Sequence, residues 1–223
     1  QLPGFESWSD IERLNREREL VGIYLSAHPL DENKVVLDCM CNTNCTELAD
    51  RAELAKKSEI TLGGIVTAVR EAYTKKGQPC GFVTIEDYVG SGELALFGED
   101  WGKWKGMMIP GCSVFVKAVC KQLYKTSNML GIIVNDVKYL QSVKESNIEK
   151  ITLSIDAENA DSMIVEDLTT MLKTIPGKTE VFVELFVEKE HRTILLRSRD
   201  VKVDVGKSLC DFLNQQQIKY KVN

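Results

Sequence analysis

Histidine is scarce in this chain of 223 residues: His28 and His191 are the only two. No apolar run approaches the length needed to span a bilayer, so no membrane segment is expected. No secretory signal opens the chain. It begins with Gln1 instead of Met and reads as a fragment or a processed protein. Cations are not in excess: 28 Lys/Arg against 33 Asp/Glu give a net charge of −5, so no global basic field announces nucleic acid. Seven cysteines include one cluster, "CMCNTNC" (Cys39, Cys41, Cys45), but a zinc site usually pairs Cys-x2-Cys knuckles with a second pair downstream. The next cysteine, Cys80, falls inside a strand pattern. Reduced thiols are therefore expected, with no metal and no cofactor. Nor is there a paired-carboxylate motif on a strand near a phosphate-binding loop, as metal-assisted phosphoryl chemistry needs.

What remains is the composition of a globular protein, 43% hydrophobic and 27% charged, long enough for one large domain or two small ones. The fold class expected is α+β in three parts. Residues 1–57 read as a helical connector. Ser9 and Asp10 can cap a helix, with Glu12 at capping-box spacing from Ser9. Val21, Leu25 and His28 then share a face at i, i+4, i+7, beside Leu14 and Tyr24. Pro29 disfavours helix at His28, and Asp31 can cap a short helix after it. "TELADRAELAKK", residues 46–57, is a further helical stretch. Ser26, His28 and Asp31 invite comparison with a catalytic triad. A triad needs three converging side chains beside an oxyanion hole, and three groups within six residues at a helix end rarely converge. No catalytic residue is expected.

Residues 58–140 change period. "EITLGGIVTAVREAYT" is a long β-rich run, with Gly63-Gly64 marking a bulge or sharp coil. "KKGQP" turns the chain. "CGFVTIED" alternates, with Val83 and Ile85 on one face and Phe82, Thr84 and Glu86 on the other. "ELALF", a helix at "EDWGKWKGMM", "CSVFVKAVCKQLY" and "MLGIIVNDVKYL" follow. Three strands, a helix and two strands is the order of an OB-fold, a five-stranded Greek-key barrel. Trp101 and Trp104 read as plugs of that barrel. Such barrels bind single strands by stacking bases on aromatics along a cationic track. The residues placed to do so are Arg70, Tyr73, Lys75, Lys76 and Phe82 around the first hairpin, and Lys117, Lys121, Tyr124 and Lys125 on the last. The segment's net charge is only +1 (nine Lys/Arg, eight Asp/Glu), which leaves an ordinary solvated barrel face as the alternative.

Residues 141–223 open on a polar linker, "VKESNIEK", followed by β-α-β-β-α-β, the order of a ferredoxin-like split βαβ domain. Met163, Leu168 and Leu172 mark the apolar side of its first helix, and His191 falls in a charged turn. The part's net charge is −2 (twelve Lys/Arg, fourteen Asp/Glu), which speaks weakly against nucleic acid.

"ERELVGIYLSAHPLD" closely resembles the segment after the polymerase core in the alpha subunit of bacterial DNA polymerase III. "GIVTAVREAYTKKGQPCGFVTIEDYVGSGELALFGEDW" resembles that family's OB domain. The resemblance covers residues 10 to about 140. Beyond that it rests on position and element order. It implies that "YLSAHPLD" is a structural connector. It implies single-stranded DNA, the clamp-loader tau subunit and other replisome subunits as partners, and a cytoplasmic, nucleoid-associated setting. The parent chain would be a DNA-directed DNA polymerase whose catalytic aspartates and PHP domain lie upstream, leaving no catalytic site here. The family's internal clamp motif, Q-x-x-[LM]-F, is absent, so Gln1 is expected to begin just after it. Two functions compete: a single-strand DNA-binding module with a tau dock, and a protein-interaction scaffold with little DNA binding. At the chain end, "QQQIKY" loosely fits a clamp-binding peptide. Ile218 and Tyr220 alternate with Lys219 and Lys221, however, as in an edge strand with one buried face, and they are expected to pack.

Overall fold

The computed structural model describes residues 16, 20, 27–124, 127–158, 162–187 and 191–223, with the backbone alone at Tyr124, Ser127, Asn128 and Ser162. The expectations for Ser9, Asp10, Glu12, Leu14, Val21, Tyr24, Leu25 and Ser26 lie outside the described residues. From His28 onward the connector is a chain of short pieces. A 3-10 turn at Asp31–Asn33 leads into helix α1, Lys34–Met40, which buries Val35 and Val36. The stretch read as one helix over 46–57 is broken: a 3-10 turn at Cys45–Ala49 is followed by α2, Arg51–Leu54. Asp50 causes the break. Its side chain accepts from the N–H groups of Ala52 and Glu53, so it caps a new helix instead of continuing the old one. Asn44 and Glu47 form a capping box on the first piece.

Five strands follow: β1 Ile60–Tyr73, β2 Pro79–Glu86, β3 Ser91–Phe97, β4 Ser113–Tyr124 and β5 Ser127–Tyr139, with helix α3, Glu99–Trp104, between β3 and β4. The sheet order is β3-β2-β1-β4-β5, all antiparallel, and β5 returns near β3. β1 is long enough to pair twice, its first half with β4 and its second with β2. This pairing and the helix position are those of an OB-fold. The bulge of β1 falls between Val66 and Ala68, after the glycines. Gly63 serves close approach instead: a Cβ there would lie 2.4 Å from the Leu37 side chain of α1. The interior is apolar and includes Leu62, Val83, Ile85, Leu94 and Val116, with Trp101 and Trp104 of α3 closing one end.

The segment read as a polar linker is helical. α4, Leu140–Asn147, buries Leu140 and Val143, whose i, i+3 spacing makes one apolar side. The last unit runs β6 Lys150–Asp156, α5 Ser162–Thr174, β7 Pro176–Val187, β8 Arg192–Val203, α6 Lys207–Gln215 and β9 Lys219–Val222. The element order is the expected one; the ferredoxin-like topology is not. The sheet order is β8-β7-β6-β9, with β6 and β7 paired directly and in parallel, so the βαβ is not split. The short turn between β7 and β8 makes them neighbours but does not decide the side. Here β8 takes the outer edge of β7 and not the gap between β7 and β6. On α5, Leu168 and Leu172 are buried as expected, but Met163 is 68% exposed; Ile164 and Met171 complete the stripe, one residue off Met163. His191 sits exposed at φ 47°.

The "AHPLD" stretch locks these parts together. The Asp31 carboxylate accepts from the His28 N–H at 3.0 Å, the Tyr88 hydroxyl at 2.7 Å and Lys207 Nζ at 2.6 Å. Asp31 therefore reaches back and outward and caps no helix. Tyr88 comes from the β2–β3 turn and Lys207 from α6, so one carboxylate holds the connector, the barrel and the last unit. The His28 ring lies 4.5 Å from that of Tyr88, and its Nδ1 accepts from the Leu30 N–H at 3.2 Å. Lys34–Asp211 (3.0 Å) and Lys144–Asp204 (2.9 Å) add two further ionic ties to the last unit. Beneath them Leu30, Val35, Val36, Phe115, Leu140 and Ile151 share one apolar cluster.

Candidate nucleic-acid interface

Alternation on β2 and β3 turns Val83, Ile85, Leu94 and Leu96 inward, leaving Phe82, Ala95 and Phe97 on the outer face. The register sets Arg70 of β1 directly beside Phe82, and Phe82 beside Ala95. The Arg70 guanidinium lies 4.2 Å from the Phe82 ring centroid, within cation–π range. Phe97 meets Phe82 edge to face at 6.3 Å and is 49% exposed. Ala72 and Cys80 share the adjoining row with Phe97. Phe82 itself is half-buried, so the stack is held in place before any ligand arrives.

The β1–β2 hairpin extends this face. The Thr74 N–H donates to the Gln78 carbonyl at 2.8 Å, and the Gly77 N–H to that of Thr74 at 2.8 Å. The loop is thereby ordered, with Lys75 and Lys76 exposed at its tip and Tyr73, 78% exposed, at its base. Arg70, Tyr73, Lys75, Lys76 and Phe82 are thus brought to one end of the barrel. Glu93, across from Thr84, and Glu86, across from Ser91, bring acidic side chains to the outer face.

Lys117 is not part of that group. It pairs across to Thr61 on β1, nine residues from Arg70 along the same strand, roughly 30 Å if extended. Its amine faces Glu59 at 3.8 Å. Lys121 is exposed opposite Gly131 on the β4–β5 hairpin. The Tyr124 side chain and Lys125 lie outside the described residues. Phe97 was missed in the sequence. The signal was its parity: in "ELALF" the leucines point inward, so the final aromatic must point outward.

Burial raises the thiols of the connector cluster, Cys39 to about 11 and Cys41 to about 12, with nearby carboxylates adding to the shift. Among the described residues, no group of three His, Cys, Asp or Glu side chains is placed to hold a metal ion. Likewise, no described helix is long and apolar enough to cross a membrane.

Residues 151–223 match the family model for the C-terminal domain of the DNA polymerase III alpha subunit. The chain is 29% identical to the DNA polymerase III subunit alpha of Halalkalibacterium halodurans over 86% of its length, which is 16% of that protein. It is 22% identical to the Mycobacterium tuberculosis subunit over 94% of its length, 17% of that protein. The chain thus spans about a sixth of these relatives. Among solved structures, the mitochondrial single-stranded DNA binding protein Rim1 of S. cerevisiae is similar over 37% of this chain and 93% of its own. The identity is 14% and the TM-score 0.29.

Proposed function

Because the chain belongs to the DNA polymerase III alpha subunit family, where it aligns with the C-terminal part, we propose that it is a non-catalytic portion of a replicative polymerase subunit. Its barrel binds single-stranded template DNA and its last unit docks the clamp-loader tau subunit. Within this reading residues 1–57 are a connector, 58–140 the DNA-binding domain and 141–223 the interaction domain, working in the cytoplasm among other replisome subunits. The observation that carries the DNA assignment is the Arg70–Phe82–Phe97 stack on the outer face of the barrel. Every base offers a π-face, so such a stack accepts any sequence, while Lys75 and Lys76 on the ordered loop neutralise phosphates. Tyr73, at the base of that loop, has the opposite strand parity to Arg70 and Phe82, so its ring serves the loop end and not this stack.

The competing reading is a protein-interaction scaffold with little DNA binding of its own. The ion pair that engages Lys117 and the carboxylate of Glu93 on the outer face favour it. Anisotropy of labelled oligo-dT across a salt series decides between the two. DNA binding predicts a loss of about 1–3 kcal/mol for Phe82→Ala, and absence of binding at low salt selects the scaffold. A pulldown with purified tau subunit tests the dock.

A further inference from the structure

Among the described residues, the second sheet has one face with no helix on it. α5 and α6 pack Leu168, Leu172, Leu209 and Leu213 against Ile151, Leu153 and Val181. The opposite parity of the same strands carries Phe182 and Phe186 on β7, four residues apart and so roughly 13 Å from each other. Phe186 is 43% exposed and Phe182 half-buried. Cations frame Phe182 from both neighbouring strands: Lys150 Nζ on β6 and the Arg197 guanidinium on β8 each lie 5.9 Å from its ring centroid, within cation–π reach. On β9, Lys219 and Lys221 stand in the same parity, opposite Ser154 and Thr152. Lys202, opposite Glu180, is the fifth cation.

The charge of this face is opposite to that of its unit. Residues 141–223 sum to −2, with twelve Lys/Arg and fourteen Asp/Glu. Among the described residues with a paired register, the open face holds those five cations against three carboxylates, Glu180, Glu184 and Asp156. Two of these are tied at the edges of the cation set: Glu180 by Arg197 at 2.6 Å and Lys202 at 3.8 Å, and Glu184 by Lys221 at 3.4 Å. The Arg197 and Lys221 side chains still remain 62% and 66% exposed. A sheet face with aromatics on a central strand and cations on its flanks suits unpaired bases lying flat on rings with phosphates beside them. We infer that the helix-free face of β6–β9 binds single-stranded nucleic acid as a second platform, separate from the barrel.

The test uses the whole chain and fluorescent oligo-dT. In a background of Arg70→Ala with Phe82→Ala, binding persists. Adding Phe182→Ala weakens it about 5- to 150-fold. Phe182→Leu, which keeps apolar bulk without a π-face, weakens it in the same direction, and Phe182→Tyr retains it. That pair decides the matter if the alanine variant does not fold. Bromodeoxyuridine-substituted strands cross-link to β7. Loss of all binding in the barrel-deficient background overturns the proposal, as does indifference to Phe182→Leu. Displacement by poly-glutamate as effective as by unlabelled oligo-dT also overturns it, since the face is then a dock for acidic protein. If the Arg70 and Phe82 substitutions alone change nothing while Phe182→Leu weakens binding, the barrel reading fails and this one stands.

Discussion

Asp31 offers the sharpest test of how the parts are held together. Its side chain is 11% exposed and accepts from a tyrosine hydroxyl, a lysine and a backbone N–H, each on a different segment. In Asp31→Ala the Tyr88 hydroxyl and the His28 N–H lose their acceptor, and Lys207 loses its counter-ion. Hydrogen bonds to a charged group contribute about 1.5–3 kcal/mol, and breaking a fully buried pair costs about 3–5. The Lys207 side chain is 43% exposed and re-solvates, so the lower part of that span applies. The expected loss is about 3 kcal/mol, a fall in Tm of about 6–12 °C for a chain of this size. Scanning fluorimetry gives the Tm, and a double-mutant cycle of Asp31→Ala with Tyr88→Phe gives the coupling. An interaction energy near zero, with a Tm within about 1 °C of the parent, refutes the three-way lock.

The same residue sets a pH dependence. Burial pushes the Asp31 carboxyl up, but the hydrogen bonds from Lys207, Tyr88 and the His28 N–H outweigh it and hold it below its ordinary value of 3.8. A carboxyl whose folded pKa is depressed adds stability that is fully present above the unfolded pKa and is lost as pH falls through the folded one. The lock therefore holds at neutral pH and loosens below about pH 4. Asp31→Asn destabilises at pH 7 and flattens the acid limb of the stability curve, and an unchanged acid limb contradicts the assignment. Tyr88 moves the opposite way: burial and then the bond to Asp31 push its phenol well above the ordinary range, so it stays a donor throughout.

On the barrel, replacing Lys75 and Lys76 by alanine lowers the salt slope of oligo-dT binding by about 1.4, at about 0.7 per phosphate contact; an unchanged slope removes them from the track. Gly81→Ala sets a Cβ 2.3 Å from the buried Trp101 ring, and overpacking there costs about 1–3 kcal/mol, read from urea midpoints. Cys41, raised to about 12 by burial and then by Asp87 and Asp38, reacts with iodoacetamide at pH 8 far more slowly in the folded chain than in urea; equal rates contradict the burial effect. Deleting residues 216–223 removes β9 and lowers the melting temperature; an unchanged melt with lost clamp binding instead makes the end a peptide.

The barrel was readable because its signals are local. "CGFVTIED" and "ELALF" alternate with period two, and the tryptophans of α3 mark the plug. The part that required pairing was not readable. Nothing in the sequence says that Phe97 lies beside Phe82, or that β1 carries Lys117's partner Thr61 nine residues from Arg70. The nine candidate residues therefore looked like one track, and five of them share an end of the barrel. The same limit produced the error in the last unit. A hairpin makes β7 and β8 adjacent, but the side of β7 on which β8 falls depends on which edge is free after α5 has crossed over. α4 was missed for another reason. Its sequence is polar, and its helix is held by Leu140 and Val143 sitting on a cluster supplied by the connector and the last unit, which no local window contains.

The end of the chain shows how a short motif and a fold compete for the same residues. "QQQIKY" satisfies most of a clamp-binding pattern, whose aliphatic and aromatic positions must both be free to insert. Ile218 is 7% exposed and packs in the cluster under α6. Its N–H donates to the Leu213 carbonyl at 2.8 Å, just after Gln217 turns the chain at φ 56°. Tyr220 pairs with Leu153 of β6 and packs against the same cluster. Releasing both rows to reach a clamp exposes the core edge of β6, at about 25 cal/mol for each Å² of apolar surface uncovered. The alternating lysines, Lys219 and Lys221, meanwhile face the opposite side, on the open sheet that carries Phe182. The residues that spoil the strand's match to a buried core are thus those the second platform uses, which is why the segment is amphipathic with period two and not a free peptide.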